Sequence, residues 1–531
     1  MFQVYDTTLR DGAQQEGINL SITDKLLISA LLDELGVGVI EGGWPGAVPK
    51  DTEFFKRAAK ELDLKNAELA AFGATRKAGV RAADDPQVRA LVDAETPIVT
   101  LVAKSDVRHV ERALRTTRDE GLAMIRDTVS YLVLEGRRVV VDVEHFFDGY
   151  RYDKDFALAA VLASFESGAE VVALCDTNGG MLPTWVGETV TAVRDAVGPH
   201  AVLGIHAHND SGCAVANTLA AVDAGATHVQ GTVNGYGERT GNADLLTVVA
   251  NLELKLARPV LRALDGGGLR DLTRIAHAIS EITNISPFAR QPYVGTSAFA
   301  HKAGLHASAI RVDPDMYQHT DPANVGNDMR MLVSEMAGRA SVELKGRELG
   351  FDLSDRPDVL TRVANRVKDA EASGYTYEAA DASFELLLLE EAGAGRPSYF
   401  TVESWRTIVE RRGGRGTPAY AEATVKLTAG GERVVSTGEG NGPVNALDQA
   451  LRQALVRVYP QLEAFVLIDF KVRILDTQHG TDATTRVLIE TSDGTTTWMT
   501  VGVGPNVIEA SWEALTDSAI WGLHHLGIPP L

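Results

Sequence analysis

The sequence predicts an α/β protein: a closed (β/α)8 TIM barrel, followed by a mostly helical linker region and a C-terminal α+β domain. Eight short apolar segments alternate with helical segments before residue 257, as a (β/α)8 barrel requires. Apolar strands between helices are typical of a parallel sheet that is buried on both faces. A doubly wound open sheet is the alternative, but no Gly-x-Gly-x-x-Gly turn follows the first strand.

The strands and helices of the barrel are predicted from apolar runs and from helical periodicity. The eight predicted strands are residues 2–5, 37–41, 67–72, 98–102, 138–143, 170–174, 202–205 and 227–233. The predicted helices include residues 23–35, 52–62, 107–134, 156–167, 184–197 and 213–224. Gly36 is the expected stop of the first of these helices.

Three regions follow from this pattern: a barrel at 1–265, helical linker subdomains at 266–400, and a C-terminal domain at 401–531. Gly-rich loops are predicted at 264–268 and 411–416. The C-terminal region holds a weak repeat, because Gly-x-Gly-Pro occurs at 440 and again at 502. Each copy follows a predicted β-hairpin and precedes a predicted helix. Two such units are expected to pack as one pseudo-symmetric domain.

Composition excludes several classes of function. The net charge of −21 argues against nucleic acid and anionic membrane surfaces as partners. Only two cysteines, Cys175 and Cys213, are present, which excludes a disulfide scaffold and fits a reducing cytoplasm. The N-terminus shows no basic segment before an apolar run, and no apolar stretch is long enough for a bilayer. A cytoplasmic protein without a membrane partner is expected.

His206 and His208 stand at the end of a predicted strand. Residues two apart on a strand point to the same side, so both imidazoles can reach one metal ion. Two neutral imidazoles and a carboxylate form a plausible catalytic metal site with open positions. Asp11 is the candidate third ligand, and Asn242 a candidate fourth through its amide oxygen. The alternative is a strand end that carries two polar residues.

Polar residues follow most of the predicted strands, and the C-terminal strand ends of a barrel meet at one mouth. An arginine cannot lose its proton, so Arg10 beside a metal suits an oxygen that becomes negative during a reaction. The alternative for Arg10 and Asp11 is a surface ion pair. The other candidates are Gln14, Glu41, Lys104, Glu144, His145, Asp176, Thr177, Asn178, Asn234, Glu238 and Arg239.

Three motifs resemble the acetyl-CoA-dependent enzymes that condense 2-oxo acids, namely the isopropylmalate, homocitrate and citramalate synthases. They are residues 6–14 (DTTLRDGAQ), 206–210 (HAHND) and 234–242 (NGYGERTGN). Residues 15–17 (QEG) and 41–46 (EGGWPG) resemble the citramalate synthase branch. Residues 304–308 (GLHAS) depart from the isopropylmalate branch, whose matching histidine continues with Gln-Asp-Gly.

The resemblance implies a metal-dependent condensation of acetyl-CoA with pyruvate, followed by hydrolysis to citramalate and CoA. It implies that His306 and Glu238 form the acid/base pair, with Glu144 assisting and Tyr317 as a further catalytic candidate. Arg10, Gln14 and Thr177 are the expected substrate-binding residues. The expected ion is Mg²⁺ or Mn²⁺, with Zn²⁺ as an alternative.

The resemblance also implies partners and regulation. In relatives the segment around His306 reaches over the barrel of a second subunit, so a homodimer with shared sites is expected. The C-terminal repeat resembles an amino-acid effector domain, with isoleucine expected and leucine as the alternative. The alternatives for function are an isopropylmalate synthase using 2-oxoisovalerate, a carbon–carbon lyase on the same barrel, and a non-enzymatic amino-acid sensor. Residues from about 405 onward count against the lyase, and the intact metal ligands count against the sensor.

Overall fold

The computed structural model describes residues 2–262, 267–411, 419–475 and 483–531. These residues form two compact units. The first comprises Met1–Phe299 with Thr320–Asp328, and the second comprises Ala300–His319 with Met329–Leu531. The predicted loops at 264–268 and 411–416 lie largely outside the described residues, as does the predicted barrel end at 265.

The first unit is a closed barrel of eight parallel strands. In order around the barrel they are Gln3–Asp6 (β1), Val39–Gly43 (β2), Glu68–Ala74 (β3), Ile98–Lys104 (β4), Arg138–Glu144 (β5), Val171–Asp176 (β6), Val202–Ala207 (β7) and His228–Gly231 (β8). The barrel closes because β1 pairs with both β2 and β8. The predicted eight-stranded barrel is therefore confirmed, and the open sheet is excluded.

Helices surround the barrel and bury their apolar faces against it. They are Ile22–Leu35 (α1), Pro49–Glu61 (α2), Pro86–Asp93 (α3), Arg118–Leu134 (α4), Phe146–Tyr152 (α5), Lys154–Glu166 (α6), Pro183–Val197 (α7), Ala214–Asp223 (α8), Leu245–Leu254 (α9) and Leu272–Thr283 (α10). Ser21 and Asp24 form a capping box at the start of α1. Gly36 ends α1 with a φ of 92°, as predicted, because this left-handed conformation suits glycine.

The prediction of one continuous helix over residues 107–134 is wrong. A single π-helical turn covers His109–Ala113, and α4 begins only at Arg118. Arg115 has a φ of 54°, a left-handed conformation that an α-helix cannot contain. The Thr117 side chain then accepts a hydrogen bond from the backbone N–H of Glu120 and caps the new helix.

The second unit begins with short strands and helices. These are Ala300–His301 (β9), Gly304–Ile310 (α11), Arg330–Met331 (β10), Arg339–Glu348 (α12), Pro357–Ala372 (α13) and Asp381–Glu391 (α14). It continues with two repeats, each a three-stranded antiparallel sheet with a helix. The first repeat holds Phe400–Glu410 (β11), Tyr420–Ala429 (β12), Glu432–Gly440 (β13) and Pro443–Leu455 (α15). The second holds Val466–Ile474 (β14), Thr485–Ser492 (β15), Thr497–Gly504 (β16) and Val507–His525 (α16).

The repeat was predicted, but its description as a hairpin and a helix is incomplete. Each predicted hairpin is joined by one earlier strand, β11 or β14, at the edge of its sheet. These edge strands leave apolar side chains about half exposed, among them Ile408, Val409, Val466 and Ile468. Both strands mix apolar with charged residues, so neither stands out as an apolar run.

A buried ion pair holds the turn that follows β2. Lys25 of α1 contacts the Asp51 carboxylate and donates a 3.0 Å hydrogen bond to the backbone oxygen of Gly42. Asp51 in turn accepts a 2.9 Å hydrogen bond from the backbone N–H of Trp44. Because a buried charge is strongly stabilised by its partner, this pair fixes Trp44 at the mouth of the barrel.

Among the helices in the described part of the chain, none has the length and apolarity needed to cross a membrane.

Candidate metal centre and active site

Asp11, His206 and His208 converge at the C-terminal mouth of the barrel. The Asp11 Oδ2 atom lies 3.0 Å from the Nε2 atom of His206 and 3.7 Å from the Nε2 atom of His208. The two Nε2 atoms are 3.3 Å apart. All three residues are buried, and their ligand atoms lie within 4.8 Å of one another. Two imidazole nitrogens and one carboxylate oxygen so close together form a set of donors that suits a divalent cation.

Asn242 completes this cluster. Its amide nitrogen lies 2.9 Å from Asp11 Oδ2 and 3.2 Å from His206 Nε2, while its buried Oδ1 atom has no hydrogen-bond partner among the described residues. A buried amide oxygen without a partner is costly. Rotation of the Asn242 amide by half a turn would bring this oxygen toward the metal-binding atoms of Asp11 and His206. The predicted ligand set therefore fits a divalent ion on the geometry of its own residues.

The electrostatics favour the protonation states that a metal requires. Burial opposes the ionisation of Asp11, but Arg10, His206 and His208 hold its pKa well below the ordinary range. Burial and the neighbouring His206 lower the pKa of His208 to about 4, so this imidazole is neutral at pH 7. Burial also opposes the charge on His206, but Asp11 outweighs it and raises the pKa of this residue. A cation would therefore compete with a proton mainly at His206.

Arg10 is locked beside the cluster. Its Nε donates a 2.6 Å hydrogen bond to Glu41, and one terminal nitrogen lies 3.5 Å from Asp11. The guanidinium stacks over the Phe72 ring at 3.8 Å. Burial opposes its charge, but Glu41 and Asp11 raise the pKa of Arg10 above its ordinary value. The result is a permanent positive charge, held by partners on three sides, at the edge of the metal cluster.

One cavity of about 350 Å³ joins the predicted barrel residues. Arg10, Asp11, Gln14, Glu144, Thr177, His206, His208 and Glu238 all line it. Glu144 is paired with Lys104 in the same wall. The hydroxyl of Thr177 accepts a 2.8 Å hydrogen bond from the backbone N–H of His145. The proposed substrate-binding and catalytic residues of the barrel therefore share one cavity, with Asn242 bonded to Asp11.

His306 and Tyr317 belong to the second unit, and the structure brings them together there. His306 lies on α11, and its ring stacks on the Tyr317 ring with centroids 4.0 Å apart. The His301 ring lies on another side of His306 at 6.2 Å. Tyr317 is exposed. The two residues form one aromatic pair, and their roles in catalysis stay predictions.

The sequence reasoning missed part of the cavity wall and the residues behind the ligands. Phe72, Val102, Asp142 and Cys175 line the cavity, and Gln230 hydrogen-bonds to His206. A signal for Asp142 was available, because it lies two residues before Glu144 on β5 and so faces the same side. No comparable signal marked Gln230, which is fully buried inside the barrel on β8.

Family models match most of the chain. A model described as HMGL-like matches residues 1–277, slightly more than half of the chain. A homocitrate synthase post-HMGL domain-like model matches residues 293–374, and a LeuA allosteric (dimerisation) domain model matches residues 378–520. The chain therefore belongs to the HMGL-like family, within the group of isopropylmalate, homocitrate and citramalate synthases. The resemblance predicted from the three motifs is confirmed.

Curated relatives match over the whole length of the chain. An (R)-citramalate synthase of Streptomyces coelicolor is 63% identical, with 100% of this chain and 98% of the relative covered. An (R)-citramalate synthase of Synechocystis is 48% identical, with 98% and 96% covered. A 2-isopropylmalate synthase of Dictyoglomus turgidum is 31% identical, with 92% of each covered. The chain is thus more similar to these two (R)-citramalate synthases than to this 2-isopropylmalate synthase.

The metal centre makes a direct prediction. We expect His208→Ala to weaken Mn²⁺ binding well beyond the roughly 10- to 100-fold that loss of an outer-shell partner costs, and to abolish metal-dependent turnover. The physical reason is the loss of a metal-binding imidazole nitrogen that is neutral at pH 7. Calorimetric titration of the metal-stripped full chain with Mn²⁺ measures the effect. His200→Ala, at a histidine outside the cluster, is the control. Unchanged Mn²⁺ affinity in His208→Ala would refute the assignment.

Proposed function

We propose that this protein is an (R)-citramalate synthase. It is an acyltransferase that joins the methyl carbon of the acetyl group of acetyl-CoA to the ketone carbon of pyruvate. It then hydrolyses the thioester to release citramalate and CoA. The observation that carries the proposal is a single cavity holding Arg10 beside the Asp11, His206 and His208 cluster. The full-length identity to two (R)-citramalate synthases supports the choice of pyruvate.

The proposed binding mode of pyruvate follows from the cavity wall. The side chains of Thr177 and Gln14 can donate hydrogen bonds to the pyruvate carboxylate. The methyl group would lie against the apolar part of the wall, which includes Trp44, Phe72 and Val102. Phe72 is already covered by the Arg10 guanidinium, so it has little freedom to move aside for a larger group. An isopropyl group in place of the methyl would need more room.

The proposed metal is Mg²⁺ or Mn²⁺, with Zn²⁺ as the alternative, held by Asp11, His206, His208 and Asn242. When bound, such an ion supplies a Lewis acid for the ketone oxygen of the substrate. Arg10 contributes independently of the ion. Its guanidinium N–H groups can donate hydrogen bonds to the same oxygen, which becomes an alkoxide when the new carbon–carbon bond forms. Because Glu41 and Phe72 hold the guanidinium in place, little reorganisation is needed.

Proton transfer is proposed for residues from both units. One proton must leave the acetyl methyl group, and one must reach the new alkoxide. We assign these transfers to Glu238 and His306, with Glu144 as the assisting carboxylate and Tyr317 as the stacked partner of His306. An imidazole is a suitable acceptor because its pKa lies near neutrality. Lys104 pairs with Glu144 and places a positive charge beside this carboxyl group.

The choice of 2-oxo acid is tested directly. With acetyl-CoA and Mg²⁺, we expect CoA release to be faster with pyruvate than with 2-oxoisovalerate, because the apolar wall suits a methyl group. A thiol reagent that reports free CoA measures both rates. The matched control omits the oxo acid, which isolates simple thioester hydrolysis. A higher kcat/KM for 2-oxoisovalerate would replace this proposal with 2-isopropylmalate synthase, and slow release with both would favour a lyase.

We also propose a homodimer in which His306 of one chain serves the barrel of its partner. The LeuA allosteric (dimerisation) domain match to residues 378–520 supports a dimer. Arg10→Ala and His306→Ala are each expected to be inactive. In a random mixture of the two variants, half of the dimers are mixed and carry one intact site out of two, so about a quarter of the activity should return. Each variant alone is the control. No recovery in mixtures whose mixed dimers are visible by native mass spectrometry would contradict the shared site.

The C-terminal domain is proposed to bind a branched-chain amino acid, with isoleucine expected and leucine as the alternative. A cavity of about 780 Å³ lies at the start of α15, where Asn441, Gly442 and Phe470 are among its lining residues. Backbone N–H groups at a helix N-terminus suit the carboxylate of an amino acid. An effector lowers activity only if it binds two states differently.

Inhibition by isoleucine tests the effector proposal. We expect isoleucine to lower turnover at lower concentration than leucine does. A Cβ atom at Gly442 would meet nothing within 4 Å, so Gly442→Leu should add a bulky side chain to the cavity lining at the start of α15 without disturbing the fold. This variant should keep its basal activity and lose most of the inhibition. Undiminished inhibition of Gly442→Leu would move the effector site elsewhere.

Three further assignments are proposed on the same basis. The domain division is a barrel at 1–265, linker subdomains at 266–400 and a regulatory domain at 401–531. The order of the three family matches supports three regions. Limited proteolysis with mass spectrometry would check these boundaries. The partners are acetyl-CoA and pyruvate, without nucleic acid or a membrane. A cytoplasmic location is proposed because both cysteines are free thiols, and fractionation of cells would test it.

A further inference from the structure

A buried chain of hydrogen bonds runs behind the metal cluster, away from the cavity. The Nδ1 atom of His206 lies 2.7 Å from the Oε1 atom of Gln230. The Nε2 atom of Gln230 lies 2.8 Å from Asp142 Oδ1 and 3.2 Å from His228 Nε2. The Nδ1 atom of His228 lies 2.8 Å from the Oε1 atom of Gln3. Gln230 and His228 are completely buried, so no solvent competes for these contacts.

Asp142 determines which atoms donate and which accept along this row of hydrogen bonds. A carboxylate accepts hydrogen bonds, so the NH₂ end of the Gln230 amide must face Asp142. The carbonyl oxygen of Gln230 then faces His206, and because a carbonyl only accepts, the Nδ1 atom of His206 must carry the proton. In a neutral imidazole with a proton on Nδ1, the Nε2 atom has a free lone pair. This Nε2 atom is the one that points at Asp11 and His208.

His228 supports the same orientation from the other side. Its Nε2 atom faces the second N–H of Gln230 and must accept, so its own proton lies on Nδ1, directed at Gln3. Burial lowers the pKa of His228 to about 3, so the ring stays neutral and can accept. If the Gln230 amide turned over, its oxygen would face the Asp142 carboxylate and its NH₂ group would face His206. The contact with Asp142 would then bring two acceptors together, and the NH₂ group could bond to His206 only in the other tautomer, whose proton lies on Nε2.

We propose that Gln230 is a positioning residue for the metal ligand His206. Its oxygen selects the tautomer whose Nε2 atom can bind a cation, and it fixes the plane of the ring. Asp142 and His228 hold Gln230 in the orientation that does this. Groups that hydrogen-bond to the far nitrogen of a metal-binding histidine commonly control the affinity of the site. The inference rests on the metal site of the proposed function, and it assigns a role that the ligands alone do not explain.

The test measures Mn²⁺ affinity, which does not depend on turnover. Gln230→Met keeps the approximate length of the side chain and removes both hydrogen-bonding ends. We expect it to weaken Mn²⁺ binding to the metal-stripped full chain by about 10- to 100-fold, as measured by the electron paramagnetic resonance signal of free Mn²⁺. Turnover of this variant should return toward the original value at saturating Mn²⁺. Asn217→Leu is the matched control, because it removes another fully buried amide, which donates a hydrogen bond to the backbone oxygen of Met181 in the loop before α7.

An exchange of groups separates positioning from packing. Gln230→Glu places two carboxylates against each other and should weaken Mn²⁺ binding further. In the double variant Q230E/D142N, the NH₂ group of the new asparagine can donate to the new glutamate. The glutamate still offers an oxygen to His206, so most of the lost Mn²⁺ affinity should return. If Gln230→Met fails to fold, the Mn²⁺ affinities of Q230E and Q230E/D142N still test whether Gln230 positions His206.

Each outcome has one meaning. Unchanged Mn²⁺ affinity in Gln230→Met, or an equal loss in Asn217→Leu, would overturn the positioning role. No recovery in Q230E/D142N would overturn the role of Asp142 in orienting the amide. Failure of the unsubstituted chain to bind Mn²⁺, Mg²⁺ or Zn²⁺ would instead refute the metal site itself.

Discussion

The buried carboxylate of Asp11 is the interaction on which the candidate site depends. An isolated buried charge costs several kcal/mol, so Asp11 needs partners at the mouth of the barrel. These partners are Arg10 from the same loop, His206 and His208 from the end of β7, and Asn242 from the segment after β8. Because β8 pairs with both β1 and β7, the three segments are neighbours only when the barrel is closed. The geometry of the site and the closure of the fold are therefore the same requirement.

The interior below this carboxylate carries an excess of negative charge. Glu41 and Asp142 are buried close to Arg10, which also pairs with Asp11, and Asp6 is buried near Glu41. Burial raises the pKa of Asp6 to about 7 and that of Asp142 to about 6, and Glu41 adds to both shifts. Carboxylates that resist ionisation in this way would be stabilised by a further positive charge nearby. Burial therefore opposes the ionised forms of Asp6 and Asp142 behind the candidate site.

Much of this arrangement could be predicted from the sequence, because its signals are local. The spacing of His206 and His208 places both on one face of a strand, and the count of eight strand–helix units identifies the barrel. Asp11 and Asn242 were identified because they follow the first and eighth predicted strands, whose C-terminal ends meet the end of the seventh at one mouth of the barrel. The helix over residues 107–134 was predicted wrongly, because nothing in its composition shows that Arg115 takes a left-handed conformation. The edge strands β11 and β14 were missed because pairing, rather than an apolar run, defines them.

The residues that could not be predicted are those whose role depends on strand pairing across the barrel. Gln230 meets Asp142, 88 positions earlier in the chain, only because the interior side chains of β5 and β8 point at a common axis. The wall of the cavity depends instead on helix packing, because a buried pair between Lys25 of α1 and Asp51 of α2 holds the turn after β2 that presents Trp44. On the proposed function, the candidate metal ligands carry the chemistry of the condensation, whereas this wall distinguishes one 2-oxo acid from another. A change of 2-oxo acid can therefore arise from the packing behind Trp44 and Phe72 while every ligand stays in place.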